Sequence, residues 1–121
     1  MESSRSSKMT LSEFILAYGN VSYPKEELEK NIEGFIRNNT LVVLEDKSEI
    51  VAVCLWNNND NIAEIEEIVI HPKHRKKGLM KYICVLGVEK FPFLKWLKFC
   101  RDRKYEGREP KMIEIDKFIR R

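Results

Sequence analysis

NIAEIEEIVIHPKHRKKGLMK, residues Asn61 to Lys81, decides the reading of this chain. Isoleucines alternating with acids give a strand-like run that ends at Pro72. A basic, glycine-containing turn follows, and then an apolar segment with helical spacing. Strand, turn and helix in that order present backbone N–H groups to an anion, because the first turn of a helix carries unpaired donors and the positive end of the helix dipole. His74, Arg75, Lys76 and Lys77 crowd the turn. Gly78 stands where the backbone must approach something bulky or take an angle that other residues avoid. The plainer alternative is a solvated basic loop that closes a strand and opens a helix.

Upstream, Thr10-Leu-Ser-Glu13 is a capping box, and Leu11, Phe14, Ile15 and Tyr18 follow at helical spacing until Gly19. Pro24 opens a second helix with Leu28, Ile32, Phe35 and Ile36 on one stripe, ended by Asn38-Asn39. Leu41–Glu45 and Glu49–Trp56 are Val- and Ile-rich runs joined by Asp46-Lys47-Ser48, in the manner of a hairpin. Asn57-Asn-Asn-Asp60 is expected as the next turn, and Ile62–Ile70 as the third strand. Downstream, Leu79, Met80, Ile83 and Leu86 give a helix that includes Gly87 and stops at Pro92. Leu94–Cys100 reads as a fourth strand, Arg101–Pro110 as a charged loop, and Met112–Ile119 as a last strand by its alternation. The expected order is α-α-β-β-β-α-β-β: an α/β (α+β) fold with a mixed, mainly antiparallel sheet flanked by helices.

A chain of 121 residues with 43% apolar and 34% charged residues fits one globular domain, here 8–121, after a serine-rich and flexible N-terminus 1–7. No apolar run reaches membrane length and no signal-type segment follows the polar start, which points to the cytoplasm and away from membranes. Cys54, Cys84 and Cys100 are scattered without ligand spacing, so buried reduced thiols are expected and no metal site. The charge is uneven. Residues 1–72 carry 6 Lys/Arg against 13 Asp/Glu, and residues 73–121 carry 16 against 6. A basic half draws anions, whether a phosphorylated cofactor or nucleic acid.

The segment from Ile68 to Met80 resembles the acyl-CoA-binding motif of the GNAT superfamily of N-acetyltransferases. In that motif a strand with an apolar-x-Pro ending runs into [Arg/Gln]-x-x-Gly-x-[Gly/Ala] at the head of a helix. The resemblance spans roughly residues 8 to 100, with Arg75 and Gly78 in place and Met80 where the family prefers a small residue. It implies a GNAT-like fold and acetyl-CoA as co-substrate. The backbone of Lys76, Lys77, Gly78, Leu79 and Met80 would cradle the pyrophosphate, with Arg75 and Lys81 beside them. The strand end Ile68, Val69 and Ile70 would line the pantetheine arm, Ile68 and Ile70 pairing with it through main-chain groups.

Acyl transfer to an amine needs the amine neutral, and the third strand supplies Glu64, Glu66 and Glu67. The resemblance implies a base eleven residues before Arg75, which is Glu64. Alternation puts Glu66 on the same face, as the reserve, and Glu67 on the other; the alternative is that all three line a solvated sheet face. Tyr105 is the phenol near enough to be considered as general acid, with a plain loop tyrosine as the alternative. Trp56 and Trp96 read as core aromatics, and His71 and His74 as turn residues. Two functions follow. One is acetyl transfer from acetyl-CoA to an amine acceptor, a small molecule or a protein amine, by direct attack in a ternary complex. The alternative is a catalytically degenerate binding module of the same fold that contacts nucleic acid or a protein through its basic half.

Overall fold

The computed structural model describes residues 9–19, 21, 24–99 and 111–120. Helix α1 (Leu11–Tyr18) starts from the expected capping box: the Thr10 hydroxyl accepts from the Glu13 N–H, and the Glu13 carboxylate accepts from the Thr10 N–H. That backbone bond holds the Glu13 carboxyl below the usual range. Helix α2 (Lys25–Arg37) opens after Pro24 and buries Leu28 and Ile32.

Five strands then lie side by side in chain order: β1 (Leu41–Asp46), β2 (Glu49–Asn59), β3 (Ile62–Ile70), β4 (Trp96–Phe99) and β5 (Lys111–Glu114). Neighbours are antiparallel except β3 and β4, which run parallel and are joined through helix α3 (Leu79–Val88). A short helix α4 (Ile115–Arg120) follows β5. The α+β architecture is the expected one, with a mainly antiparallel sheet between helices.

Three boundaries differ from expectation, and the reasons are local. Asn57–Asn59 continue β2, with Asn59 opposite Ile62, so the hairpin tightens onto Asp60 and Asn61, where Asp60 takes φ 55°. The last strand stops at Glu114, because its partner β4 pairs only from Trp96 to Phe99. Beyond it, Ile115 and Phe118 are buried and Ile119 is exposed, a three-residue spacing that suits a helical turn better than a strand. The order is therefore α-α-β-β-β-α-β-β-α. Strand β4 is shorter than Leu94–Cys100; Cys100, the loop Arg101–Pro110 and residues 1–7 lie outside the described residues.

The sheet is buried on both faces. Against one pack α3 and α4, with Cys54, Trp56, Ala63, Ile65, Ile83 and Phe118. Against the other pack α1 and α2, with Phe14, Ile15, Leu28, Val53, Leu55 and Val69. Trp56 is fully buried, as expected of a core aromatic, whereas Trp96 is half-buried. Gly87 costs α3 some helix propensity, and the ring of Trp56 explains its presence, since a Cβ there would stand 2.9 Å from the indole.

One irregularity in β3 positions the site. Leu55 pairs with Glu67 and Trp56 with Ile65, so Glu66 has no opposite residue and forms a bulge. The faces exchange there. Ala63 and Ile65 lie toward α3 and α4, whereas Val69 lies toward α1 and α2, and Ile68 and Ile70 take over the α3 side. Strict alternation along 62–70 fails for this reason. Glu64 and Glu67 share the α1/α2 side of the sheet, which corrects the expectation that Glu64 pairs with Glu66 and Glu67 stands apart.

Candidate active site

The turn after β3 is built from two backbone reversals. Pro72–His74 form one 3-10 turn, fixed by the His71 ring, whose Nδ1 accepts from the Lys73 N–H at 3.1 Å. Lys76 (φ 66°) and Gly78 (φ 75°) are then both left-handed. Such residues on either side of Lys77 curl consecutive N–H groups toward one side, the shape of an anion-binding nest. The first helical bond of α3 runs from the Tyr82 N–H to the Gly78 carbonyl, so Leu79 and Met80 lie in the first turn, ahead of the helical ladder. A Cβ at Gly78 would meet nothing within 4 Å, so open space adjoins the turn there. Arg75 bends back, its Nε donating to the Ile70 carbonyl at 3.1 Å, which fastens the turn to the strand it leaves.

The strand end beside this turn is an open edge. The His71 N–H bonds to the Val51 carbonyl on β2, so along this stretch the odd residues direct their peptide groups to β2 and Ile68 and Ile70 direct theirs the other way. On that other side β4 pairs with β3 only as far as Ile65 opposite Phe99, and no described strand flanks Glu66–Ile70. The two parallel strands thus part after four residues. A cavity of about 630 Å³ lies along this end of β3, running from Arg75, Lys76 and Gly78 past Ile68 and Met80 to Tyr18, Gly19 and Glu67. A smaller one of about 180 Å³ adjoins it, lined by Ile65, Glu66, Phe99 and the shared Glu67, Ile68 and Met80.

Eight of the ten residues expected on the cofactor side line the larger cavity; Lys77 and Lys81 fall outside its lining. Met80 is 45% exposed and stands between the two cavities, in contact with both. The acids divide differently from the expectation. Glu64 sits where β3 and β4 are still paired, opposite Lys98, with its carboxylate 3.7 Å from Lys98 Nζ and accepting from Asn59 Nδ2 at 3.3 Å; it lines neither cavity. Glu66 lines the smaller cavity. Glu67 lines both, although it is only 5% exposed. Sequence reasoning passed over Glu67 because nothing in the residue pattern marks a bulge at Glu66. Tyr105 lies outside the described residues.

His71 wedges against Tyr18, ring centres 4.7 Å apart, and stacks near Phe14, so it ties the turn to α1 as a turn residue. Cys54 and Cys84 meet in the core, where the hydrogen bond to Cys84 and burial push the Cys54 thiol well up, and neither lines the cavities. Among the described residues no group of three or more His, Cys, Asp or Glu is placed to hold a metal, and no helix is long and apolar enough to cross a membrane.

A basic, glycine-containing turn that leads from the end of a strand into a helix N-terminus is the arrangement that the motif from Ile68 to Met80 implied. The sequence profile of the acetyltransferase (GNAT) family matches residues 8–89. The chain belongs to this family. Solved GNAT-type structures superpose on it. A GNAT-family acetyltransferase from Colwellia psychrerythraea does so with a TM-score of 0.55 at 16% identity, over 65% of this chain and 30% of that one. An acetyltransferase-like protein from Pyrococcus horikoshii gives 0.62 at 11% identity, over 77% and 34%. An Escherichia coli N-acetyltransferase that acts on an alanine of a ribosomal protein gives 0.52 at 12% identity, over 80% and 67%. At these identities the likeness is one of fold, and the chain spans only 30% and 34% of the first two structures. A comparison with curated protein sequences finds no match.

Proposed function

We propose that this GNAT-family chain transfers an acetyl group from acetyl-CoA to an amine, by direct attack within a ternary complex. The observation that carries the reading is the nest at Lys76 and Gly78 heading α3, set beside the unpaired edge of β3. The pyrophosphate would rest on the N–H groups of the turn and of Leu79 and Met80, with the helix dipole and the basic side chains adding attraction. The pantetheine arm would lie along Ile68 as an added strand. Arg75 already occupies the Ile70 carbonyl, so the main-chain pairing falls chiefly on Ile68. The Ile68 N–H would polarise the thioester carbonyl.

Glu66 and Glu67 line the two cavities beside the turn and Glu64 does not, so we take the proton acceptor for the amine from that pair. Among the described residues no thiol lines either cavity, and direct attack is the simpler route. The buried thiols of Cys54 and Cys84 suit the reducing cytoplasm, the compartment we assign. The test is thermal denaturation with acetyl-CoA and with CoA. At 100 times the dissociation constant a ligand adds about 2.7 kcal/mol, and the absence of any shift at millimolar concentration would remove the cofactor from the reading.

A further inference from the structure

We infer that His71 is a positioning residue for the cofactor's phosphates: its imidazole supplies a side-chain acceptor that sets how the chain enters the anion-binding turn. This role rests on the acetyl-CoA reading for its ligand, and goes beyond it in naming what holds the turn ready before the ligand arrives.

The turn is strained at its centre. Lys76 holds φ 66°, the left-handed region that a residue with a Cβ normally avoids. Such a residue persists only where its surroundings fix it. Downstream, the ladder of α3 begins at the Gly78 carbonyl. Upstream, two side chains do the fixing among the described residues. Arg75 Nε donates to the Ile70 carbonyl, and His71 Nδ1 accepts from the Lys73 N–H, each at 3.1 Å.

His71 is itself held from several directions. Its N–H donates to the Val51 carbonyl of β2 at 2.8 Å, and its own carbonyl accepts from the His74 N–H at 2.8 Å. Its ring lies 4.7 Å from that of Tyr18 and 6.4 Å from that of Phe14, centre to centre, so α1 fixes the plane of the imidazole. Nδ1 is therefore offered to Lys73 from one place. A side chain that accepts from the amide two residues on is the pattern of an Asx turn, made here by a histidine, and Pro72 between the two partners presets its own φ. Without this bond the turn is freer to relieve the strain at Lys76. The apparent affinity for an anion then falls with the fraction of molecules that keep the nest.

Two substitutions separate the acceptor from the ring. His71→Asn keeps an acceptor for the Lys73 N–H and removes the ring, whereas His71→Phe keeps a ring for Tyr18 and Phe14 and removes the acceptor. In isothermal titration, His71→Phe should bind acetyl-CoA roughly three- to tenfold more weakly than the wild type, the order of one net hydrogen bond. Its melting temperature should stay near that of the wild type. His71→Asn should bind within about twofold of the wild type, because an Asn acceptor restores the turn, yet melt lower for want of the ring's packing. Affinity and stability then rank the two variants in opposite order, which a role in packing alone would not produce. A phenylalanine variant with wild-type affinity, or an asparagine variant as weak as it, would overturn the role. Amide hydrogen exchange without ligand gives an independent reading: exchange from Lys73 to Lys77 should quicken in His71→Phe and not in His71→Asn, and equal exchange in the two would also overturn it. A wild-type protein that fails to bind acetyl-CoA refutes the cofactor reading instead, and the exchange pattern then decides whether His71 holds the turn.

Discussion

Gly78 gives the sharpest test of the cofactor cradle, because the structure separates what its replacement does to the fold from what it does to a ligand. Its φ of 75° is left-handed, yet no atom lies within 4 Å of where a Cβ would stand. Gly78→Ala therefore costs the strain of an L-residue in that conformation, about 1 kcal/mol, without a clash. For a domain of this size that lowers the melting temperature by roughly 4 °C. Gly78→Glu carries the same strain and adds a carboxylate on the open side. At about 5 Å from a phosphate charge and an effective dielectric constant of about 20, the repulsion is about 3 kcal/mol, before salt screening reduces it. That is roughly a hundredfold in affinity. Acetyl-CoA at 100 times its wild-type dissociation constant would then add about 0.4 kcal/mol to the variant, against about 2.7 kcal/mol for the wild type. Thermal scanning of the three proteins with and without acetyl-CoA reads both effects. A glutamate variant with the wild-type acetyl-CoA shift would mean that the phosphates do not sit at this turn. An alanine variant as stable as the wild type would mean that the left-handed angle is not required.

Gly87→Ala should lower stability by about 1–2 kcal/mol despite the gain in helix propensity, since the added methyl presses on the buried Trp56 ring at 2.9 Å; a more stable variant in denaturant titration would contradict the packing described. Glu64→Gln should leave kcat/KM within about threefold, because its carboxylate serves Lys98 and Asn59 and lines neither of the two cavities described, whereas a loss of about 100-fold would point to Glu64 as the base. If the basic half serves one CoA molecule, oligonucleotides should bind no more tightly than about 10⁻⁵ M at physiological salt. Tight, steeply salt-dependent binding together with no thermal response to CoA would favour the binding-module alternative.

The segment from Ile62 to Met80 was legible because each of its parts announces itself chemically. β-branched alternation marks the strand, proline its end, and glycine the reversal before a helix with an apolar face. The capping box of α1 was legible for the same reason: Thr10 and Glu13 satisfy each other whatever packs around them. The chain's end was not. In 111–120 apolar residues fall at positions that suit both periods, and the choice was made by tertiary structure, where a four-residue partner strand left nothing for a longer β5 to pair with. The asparagines 57–59 misled because turn composition was overridden by pairing with β3.

The bulge at Glu66 belongs to a third kind, and it bears on function. A β-bulge costs one unpaired residue and carries no fixed composition, so an Ile-Glu-Glu-Ile run reads as plain alternation until the register with β2 is known. Its consequence is disproportionate, because the side-chain period is two and a one-residue insertion exchanges the faces of everything beyond it. Without the bulge, the face that carries Ala63 and Ile65 would also carry Glu67 and Val69, putting the acid under α3 in the larger apolar core. With it, the carboxylate lies at the end of α1 beside the parting strands, and Ile68 and Ile70 pack under α3 in its stead. The same insertion therefore keeps the core apolar and places an acid in the cavity. Counting back eleven residues from Arg75 arrives at Glu64, at the paired end of the strand, three residues before Glu67.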